Sequence, residues 1–196
     1  MSRETSRYRE TDTEQGRRER VQKAFRLTLA AEAVLTALLV LLDQATKLAA
    51  VSALKDGGPF VLIPGVFQLQ YLENRGAAFG LLQNARIFFL AVTLIALAAV
   101  IYVLVRLPLK RKYIVLRFLM VLIAAGAVGN MIDRVFLGYV RDFLYFSLID
   151  FPIFNVADIY VTCATILLIL LLLFYYKEED DFAFLSPGGK KGKADD

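Results

Sequence analysis

The sequence predicts an all-α membrane protein with four transmembrane helices and a small extracytoplasmic β-sheet. Of its 196 residues, 58% are hydrophobic, whereas a soluble domain of this size is nearer one half. The apolar residues are concentrated in long blocks rather than spread in an amphipathic pattern, which indicates burial in a bilayer. A chain of this length makes one domain.

Four apolar blocks are long enough to cross a hydrocarbon core of roughly 30 Å as helices. The predicted spans are residues 27–53, 87–105, 113–132 and 156–176. The first contains Glu32, Asp43 and Lys47, which blur its boundaries. The second is free of charge, and the third and fourth each carry one charged residue near their start, Arg117 and Asp158.

Charged segments flank this membrane domain, which we place at residues 27–176. Residues 1–26, with eight Arg/Lys and five Asp/Glu, predict a charged N-terminal extension that is disordered or loosely helical. Residues 177–196 form a polar tail, and the loop 106–117 holds five basic residues and no acid. The positive-inside bias therefore predicts that both termini are cytoplasmic and that the two acid-bearing loops face outward.

The first outer loop, about residues 58–80, is rich in β-forming residues. Apolar and polar residues alternate at the start of the stretch that begins at Phe67, and Pro64 and Gly65 precede it as a turn signal. We therefore expect a small sheet that lies on the outer membrane surface.

Composition excludes several kinds of chemistry. The chain has no histidine, which removes Ser-His-Asp and Cys-His mechanisms and histidine-based zinc sites. Its one cysteine, Cys163, lies in an apolar block and cannot form an internal disulfide. We expect no metal, no cofactor and no nucleic-acid partner, so any hydrolytic chemistry must use carboxylates, lysine, or hydroxyls activated by lysine.

Polar residues collect at the outer ends of the predicted spans and in the loops beside them. They are Asp43, Lys47, Asn74, Arg75, Asn130, Asp133, Arg134, Asp142, Asn155 and Asp158. Ionisable groups at membrane depth are costly and are functional candidates by default. Asn155 and Asp158 are three residues apart and share a helix face, as do Asn130 and Asp133.

Two neighbouring carboxylates in a poorly hydrated site share a proton. The ionised member can take a proton from water while the protonated member polarises a scissile carbonyl. The candidates for such a pair are Asp43, Asp133, Asp142 and Asp158, and spacing alone does not rank them. Asp133 has an alternative role as an ion-pair partner of Arg134, and Asp43 as a partner of Lys47. Asp150 is most simply a solvated loop acid.

Four segments resemble motifs of the lipoprotein signal peptidase (signal peptidase II) family. They are 43–47 (Asp-Gln-Ala-Thr-Lys), 74–80 (Asn-Arg-Gly-Ala-Ala-Phe-Gly), 129–134 (Gly-Asn-Met-Ile-Asp-Arg) followed by 140–143 (Val-Arg-Asp-Phe), and 154–158 (Phe-Asn-Val-Ala-Asp). Each is weak alone, but the four occur in order at the predicted outer face. The resemblance covers about residues 27–176.

The resemblance implies an aspartyl endopeptidase of the bacterial cytoplasmic (inner) membrane with its active site near the outer face. Such an enzyme removes the signal peptide from diacylglyceryl-modified prolipoproteins by cleaving just before the lipidated cysteine. Membrane phospholipids are the other expected partners, and we expect a monomer. The outer loop resembles the family's β-cradle.

Carried over by motif, the resemblance makes Asp142 and Asp158 the catalytic pair. It implies a substrate-binding or supporting shell of Asp43, Lys47, Asn74, Arg75, Gly76, Phe79, Asn130, Asp133, Arg134 and Asn155.

Other functions account for less of the sequence. A small transporter or proton channel would spread ionisable residues through the bilayer depth, whereas here they collect at one face. A membrane scaffold gives no reason for outer aspartates on three segments. An intramembrane protease of the GxGD type is disfavoured because residues 138–142 have the wrong spacing.

Overall fold

Four long helices carry most of the chain in the computed structural model, which describes residues 3–76 and 85–185. They are α1 (Arg3–Leu54), α2 (Arg86–Arg106), α3 (Ile114–Phe136) and α4 (Val156–Phe174). Each contains a stretch long and apolar enough to cross a membrane. A helix pairs its backbone N–H and C=O groups internally, and this is required in a bilayer because lipid chains offer no hydrogen-bond partners. The prediction of four membrane-length helices is confirmed.

Helix α1 is much longer than its apolar block. It runs unbroken from Arg3 through the charged segment for which disorder or a loose helix is predicted. Arginine and glutamate are good helix formers, and Arg18 lies 3.6 Å from Glu14 one turn earlier. At about 1.5 Å per residue, the part before Leu27 extends the helix by roughly 36 Å beyond the apolar block.

Three strands form an antiparallel sheet in the order β1–β2–β3. They are β1 (Phe60–Ile63), β2 (Phe67–Asn74) and β3 (Val140–Tyr145). Gly65 in the turn between β1 and β2 has a φ of +69°, which glycine adopts without strain. The predicted small sheet is confirmed, and β3 is a strand that the sequence does not predict. Asn74 pairs with Val140 and Leu72 with Asp142, so the sheet places Asp142 beside β2.

Helix α3 is the centre of the bundle and packs against α1, α2 and α4. Leu119, Val121 and Ala125 are buried on it. The outward faces of the other helices are apolar and exposed, for example at Ile95 and Leu173. Such surfaces are unfavourable in water and suit contact with lipid chains.

A short 3-10 helix, Glu179–Leu185, closes the end of the bundle farthest from the sheet. The Tyr113 hydroxyl donates to the Asp181 carbonyl at 3.0 Å. Asp181 also accepts an ion pair from Lys112. These contacts hold the chain after α4 against the α2–α3 connection.

Candidate active site

Asp142 of β3 and Asp158 of α4 line one cavity of about 470 Å³. The register between β2 and β3 places Asp142 opposite Leu72, and Asp158 lies in the first turn of α4. The other lining residues are Asn74, Gly76, Arg134, Phe151, Pro152, Ile153, Phe154, Ile159, Thr162 and Cys163. The cavity therefore combines two carboxylates with a largely apolar wall.

Three asparagines hold the two carboxylates. Asn74 Nδ2 donates to Asp142 Oδ2 at 2.8 Å, and Asn155 Nδ2 donates to Asp142 Oδ1 at 2.6 Å. Asn130 Nδ2 donates to Asp158 Oδ1 at 2.7 Å. Asn155 Nδ2 also donates to Asn130 Oδ1 at 3.1 Å, which links the two carboxylates through a chain of amides.

The start of α4 fixes the position of Asp158. Asn155 caps the helix: its Oδ1 accepts the Asp158 N–H at 3.0 Å, and Asp158 Oδ2 accepts the Asn155 N–H at 3.1 Å. This reciprocal capping box satisfies two backbone donors that a helix start leaves free. The same four-residue segment thus ends a loop, starts a membrane helix and orients a carboxylate.

The environment of Asp142 favours its protonated form. Burial and then the neighbouring Asp158 carboxylate raise the pKa of Asp142 to about 7, although the amide donors of Asn74 and Asn155 oppose the shift. Burial disfavours the charged form of a carboxylate, and a like charge nearby adds to that effect. A carboxyl group with this pKa can hold a proton near neutral pH.

A buried ionic network lies behind the carboxylates. Lys47 Nζ lies 2.9 Å from Asp43 Oδ2 and 3.5 Å from Asp133 Oδ2. It also donates to Asn130 Oδ1 at 2.9 Å. Since Asn130 holds Asp158, one side chain connects the Lys47 ammonium to the candidate site.

Arg141 completes this network. Its Nε donates to Asp133 Oδ2 at 3.1 Å, and its terminal NH2 group donates to Asp133 Oδ1 at 2.6 Å and to Gln44 Oε1 at 2.7 Å. Asp43, Lys47, Asp133 and Arg141 are all buried, and their two positive and two negative charges balance. Fork-shaped pairing of this kind is the strong form of a charge-assisted hydrogen bond.

Close helix packing brings Asp43 into the network. A Cβ on Gly129 of α3 would lie 2.6 Å from Asp43 Oδ2, so only glycine allows this approach. Asp43 Oδ1 accepts the Ala157 N–H of α4 at 2.9 Å. Asp43 therefore links α1 to α4 and lies against Lys47, the alternative role that its spacing suggests.

The remaining predicted shell residues have varied positions. Asp133 pairs with Arg141 and not with Arg134, because adjacent residues on a helix point in different directions. Arg134 instead lines the cavity and lies 4.7 Å from the ring centre of Phe89. Arg75 is exposed and 3.4 Å from Glu73. These positions separate Arg134, at the cavity, from Arg75, at the surface.

Among the predicted loop residues, Gly76 lies at the cavity and Asp150 lies at the surface. The Gly76 N–H donates to Asn74 Oδ1 at 3.0 Å and so orients an amide that contacts Asp142. Asp150 is exposed and accepts the Tyr145 hydroxyl at 2.5 Å. Phe79 lies outside the described residues. No cluster of metal-ligating side chains occurs in the part of the chain that the structure describes.

Sequence reasoning missed two polar residues and one wall of the site. Gln44 donates to Asp43, Gly129 and Asp133, although it lies inside the first motif. Arg141 immediately precedes Asp142, yet its contacts depend on strand register. The apolar residues 151–154 line the cavity, and their position at and directly before the start of the fourth motif was an available signal.

Comparisons with known proteins decide the family. A model of the family described as signal peptidase (SPase) II matches residues 35–174. A lipoprotein signal peptidase of Streptococcus thermophilus is 45% identical over 129 residues, which span 66% of this chain and 83% of the relative. Another, from Caldanaerobacter subterraneus subsp. tengcongensis, is 43% identical over 135 residues, or 68% and 90% of the two chains. The chain belongs to the signal peptidase II family.

A solved structure of a bacterial membrane enzyme supports the same assignment for this signal peptidase. It aligns with a TM-score of 0.67 and 35% identity and covers 76% of this chain and 93% of its own. The region matched to the family contains the two carboxylates and the ionic network. Membership of a peptidase family sets aside the transporter and scaffold alternatives.

Proposed function

We propose that this signal peptidase is an aspartyl endopeptidase that removes the signal peptide from diacylglyceryl-modified prolipoproteins just before the lipidated cysteine. Asp142 and Asp158 form the catalytic pair. The observation that carries the proposal is their arrangement: two carboxylates from β3 and α4 line one cavity and are linked through Asn155 and Asn130. Relatives named lipoprotein signal peptidases support the substrate class.

The pair shares one proton near neutral pH. The raised pKa of Asp142, about 7, supports placing that proton on Asp142. Asp158 accepts a backbone N–H at the start of α4, where the helix dipole favours a negative charge. Two such carboxylates in different environments supply an acid and a base at the same pH.

The reaction then follows from these roles. Asp158 takes a proton from a water molecule, whose oxygen attacks the scissile carbonyl carbon, while Asp142 gives its proton to the carbonyl oxygen. The tetrahedral intermediate collapses as the C–N bond breaks, Asp158 passes its proton to the leaving amine, and Asp142 recovers its own. The products are a peptide with a new carboxyl terminus and a lipidated cysteine with a free amine. No cofactor is needed.

The shape and polarity of the cavity support a lipidated substrate. Phe151, Ile159 and Cys163 line it on the α4 side, and Cys163 is exposed on the outward surface of α4. An acyl chain can approach along this apolar wall while the peptide bond lies at the carboxylates. Arg134, which lines the same cavity, is placed to donate to an ester carbonyl oxygen of the diacylglyceryl group.

Charge distribution supports the orientation of the enzyme. The basic N-terminal extension and the loop 106–117 lie at the end of the bundle opposite the carboxylates, and the positive-inside bias places that end in the cytoplasm. The catalytic pair then lies at the outer face of the inner membrane, and both termini are cytoplasmic.

Labelling of single cysteines tests this orientation. In a Cys163→Ala background, Asp56→Cys should react with an impermeant maleimide on intact cells, and Arg20→Cys should not.

The test of function compares two substrates in detergent. The purified enzyme should shorten a prolipoprotein that carries its diacylglyceryl cysteine and leave the same protein without the lipid uncut. Asp158→Asn, purified in parallel, controls for contaminating proteases. Equal cleavage of both substrates would contradict the assigned lipid dependence, and cleavage of neither by folded enzyme would contradict the proposed function.

A further inference from the structure

A second cavity lies at the end of the bundle opposite the carboxylates. Its volume is about 410 Å³, and it opens between α1, α3 and the loop that precedes α3. From Ile114 to Asp133 the helix α3 rises roughly 28 Å at about 1.5 Å per residue, close to the thickness of a hydrocarbon core. The two cavities therefore lie at opposite interfaces of the membrane.

The walls of this cavity are apolar on the side nearer the bilayer centre. Leu35 of α1 and Phe118 and Val121 of α3 form that part of the lining, with Leu109 and Ile114 nearer the loop. Val121 is buried, whereas Phe118 is about half exposed. The walls thus suit a hydrocarbon chain that enters from the side.

The only acid in the lining, Glu32, is already neutralised. Arg117 donates to both of its oxygens, from Nε at 2.6 Å and from the NH2 group at 2.8 Å. Arg117 NH1 also donates to the Leu107 carbonyl at 2.9 Å. This forked ion pair accounts for a charged residue within the first predicted span, and it presents no net charge to the cavity.

The rim of the cavity is cationic. Lys110 and Arg111 line it and are exposed. Their neighbour Lys112 is paired with Glu178 and Asp181, whereas Lys110 and Arg111 have no ion-pair partner among the side chains that the structure describes. Two positive charges with no ion-pair partner among the described side chains therefore lie beside an apolar slot at headgroup depth.

We propose that this cavity is a binding site for an anionic phospholipid, with Lys110 and Arg111 on the phosphate and one acyl chain in the slot. Thr28 also lines the cavity, but its hydroxyl donates to the Ala24 carbonyl at 3.0 Å, so the two basic side chains supply the contacts to the phosphate. A zwitterionic lipid fits the apolar walls equally well but brings its own ammonium group to the cationic rim. The site therefore selects for net negative headgroups and is separate from the proposed catalytic pair.

The experiment titrates the full-length protein in neutral detergent with phosphatidylglycerol or phosphatidylcholine and counts bound lipid by native mass spectrometry. Each basic residue near a lipid surface contributes about a fivefold change in affinity, so Lys110→Gln/Arg111→Gln should weaken phosphatidylglycerol binding by roughly twenty-five-fold. Binding of phosphatidylcholine should change by less than about twofold, because its headgroup has no net charge to lose.

Two further variants make the test specific. Arg17→Gln/Arg20→Gln removes the same charge from the exposed part of α1, at least about 12 Å along the helix from Thr28, and should keep wild-type affinity. Leu35→Trp fills the slot, leaves the rim charged, and should also release the lipid. A soluble glycerophosphoglycerol headgroup should not compete, since it lacks the chain.

Several results would overturn the proposal. These are equal loss in the two double variants, retention of phosphatidylglycerol by Lys110→Gln/Arg111→Gln within about twofold of wild type, equal binding of the two lipids, or full competition by the soluble headgroup. Cleavage of lipidated prolipoprotein in neutral detergent should be unchanged by Lys110→Gln/Arg111→Gln. A failure of the proposed lipid site is therefore distinguishable from a failure of the proposed peptidase activity.

Discussion

Replacing Arg141 by methionine tests whether the buried ionic network supports the site. The side chain keeps much of its length, but Asp133 loses both forked hydrogen bonds, of 3.1 and 2.6 Å, and Gln44 loses the one at 2.7 Å. The four balanced charges become a net negative cluster in a fully buried place. Breaking a buried pair in this way costs about 3–5 kcal/mol.

This loss converts to a measurable change in melting temperature. For a chain of about 150–250 residues, 1 kcal/mol corresponds to about 2–4 °C, so Arg141→Met should melt roughly 6–20 °C below wild type. The assay heats the detergent-solubilised protein and measures the monodisperse fraction by gel filtration. Arg75→Met is the matched control. Arg75 is exposed, so its replacement should lower the free energy of unfolding by at most about 1 kcal/mol.

A double-mutant cycle identifies the cause. Asp133→Asn with Arg141→Met removes both charges and leaves Asp43 and Lys47 balanced, so the double variant should lose about 2 kcal/mol less than the two single losses combined. Melting of Arg141→Met within about 2 °C of wild type, or strict additivity in the cycle, would refute a stabilising interaction between Arg141 and Asp133.

Three other outcomes follow from the site. Asn155→Ala removes the helix cap, at a cost of about 1 kcal/mol, and also removes the amide that donates to Asp142 Oδ1 and to Asn130 Oδ1. Cleavage should therefore fall by more than about tenfold while the protein remains folded by gel filtration, and undiminished turnover would contradict the role of Asn155. The pH profile of kcat/KM should decline as pH rises through about 7, because Asp142, whose pKa is raised to about 7, must hold its proton; a rate that is flat to pH 9 in stable enzyme would exclude Asp142 as the acid. Gly129→Ala places a Cβ 2.6 Å from Asp43 Oδ2 and should destabilise the protein by about 1–3 kcal/mol, whereas Gly16→Ala, with open space around it, should not.

The membrane spans could be predicted from the sequence because bilayer thickness sets a length that composition alone reveals. The charged extension was harder to predict: low apolar content suggests disorder, yet α1 continues through it from Arg3. A helix can propagate from a membrane span at little cost because the unfavourable nucleation step has already occurred.

The sheet was only partly predictable. Residues 58–80 contain an alternating stretch and a turn signal, and β1 and β2 lie there. Strand β3 is short, and its partner β2 is distant in the chain, so no local pattern distinguishes it from an irregular loop. Tertiary pairing decided its structure.

The same limit explains the missed role of Arg141. Side chains alternate along a strand, so Arg141 and Asp142 point to different surroundings: Arg141 contacts Asp133, and Asp142 lines the cavity. Without the register of β3, the sequence cannot show which of the two belongs to which group. The helical spacing of Asn155 and Asp158, in contrast, was enough to put them on one face, and the capping box joins them.

The most direct test of the central claim is the cleavage rate of three aspartate-to-asparagine variants with a lipidated prolipoprotein. Asp142→Asn and Asp158→Asn remove the proposed pair one member at a time, and Asp150→Asn makes the same change at an exposed loop acid. The proposed mechanism predicts no detectable product from the first two variants and a wild-type rate from the third, with all three folded by gel filtration. Turnover by Asp142→Asn or Asp158→Asn near the wild-type rate would contradict the proposed catalytic pair.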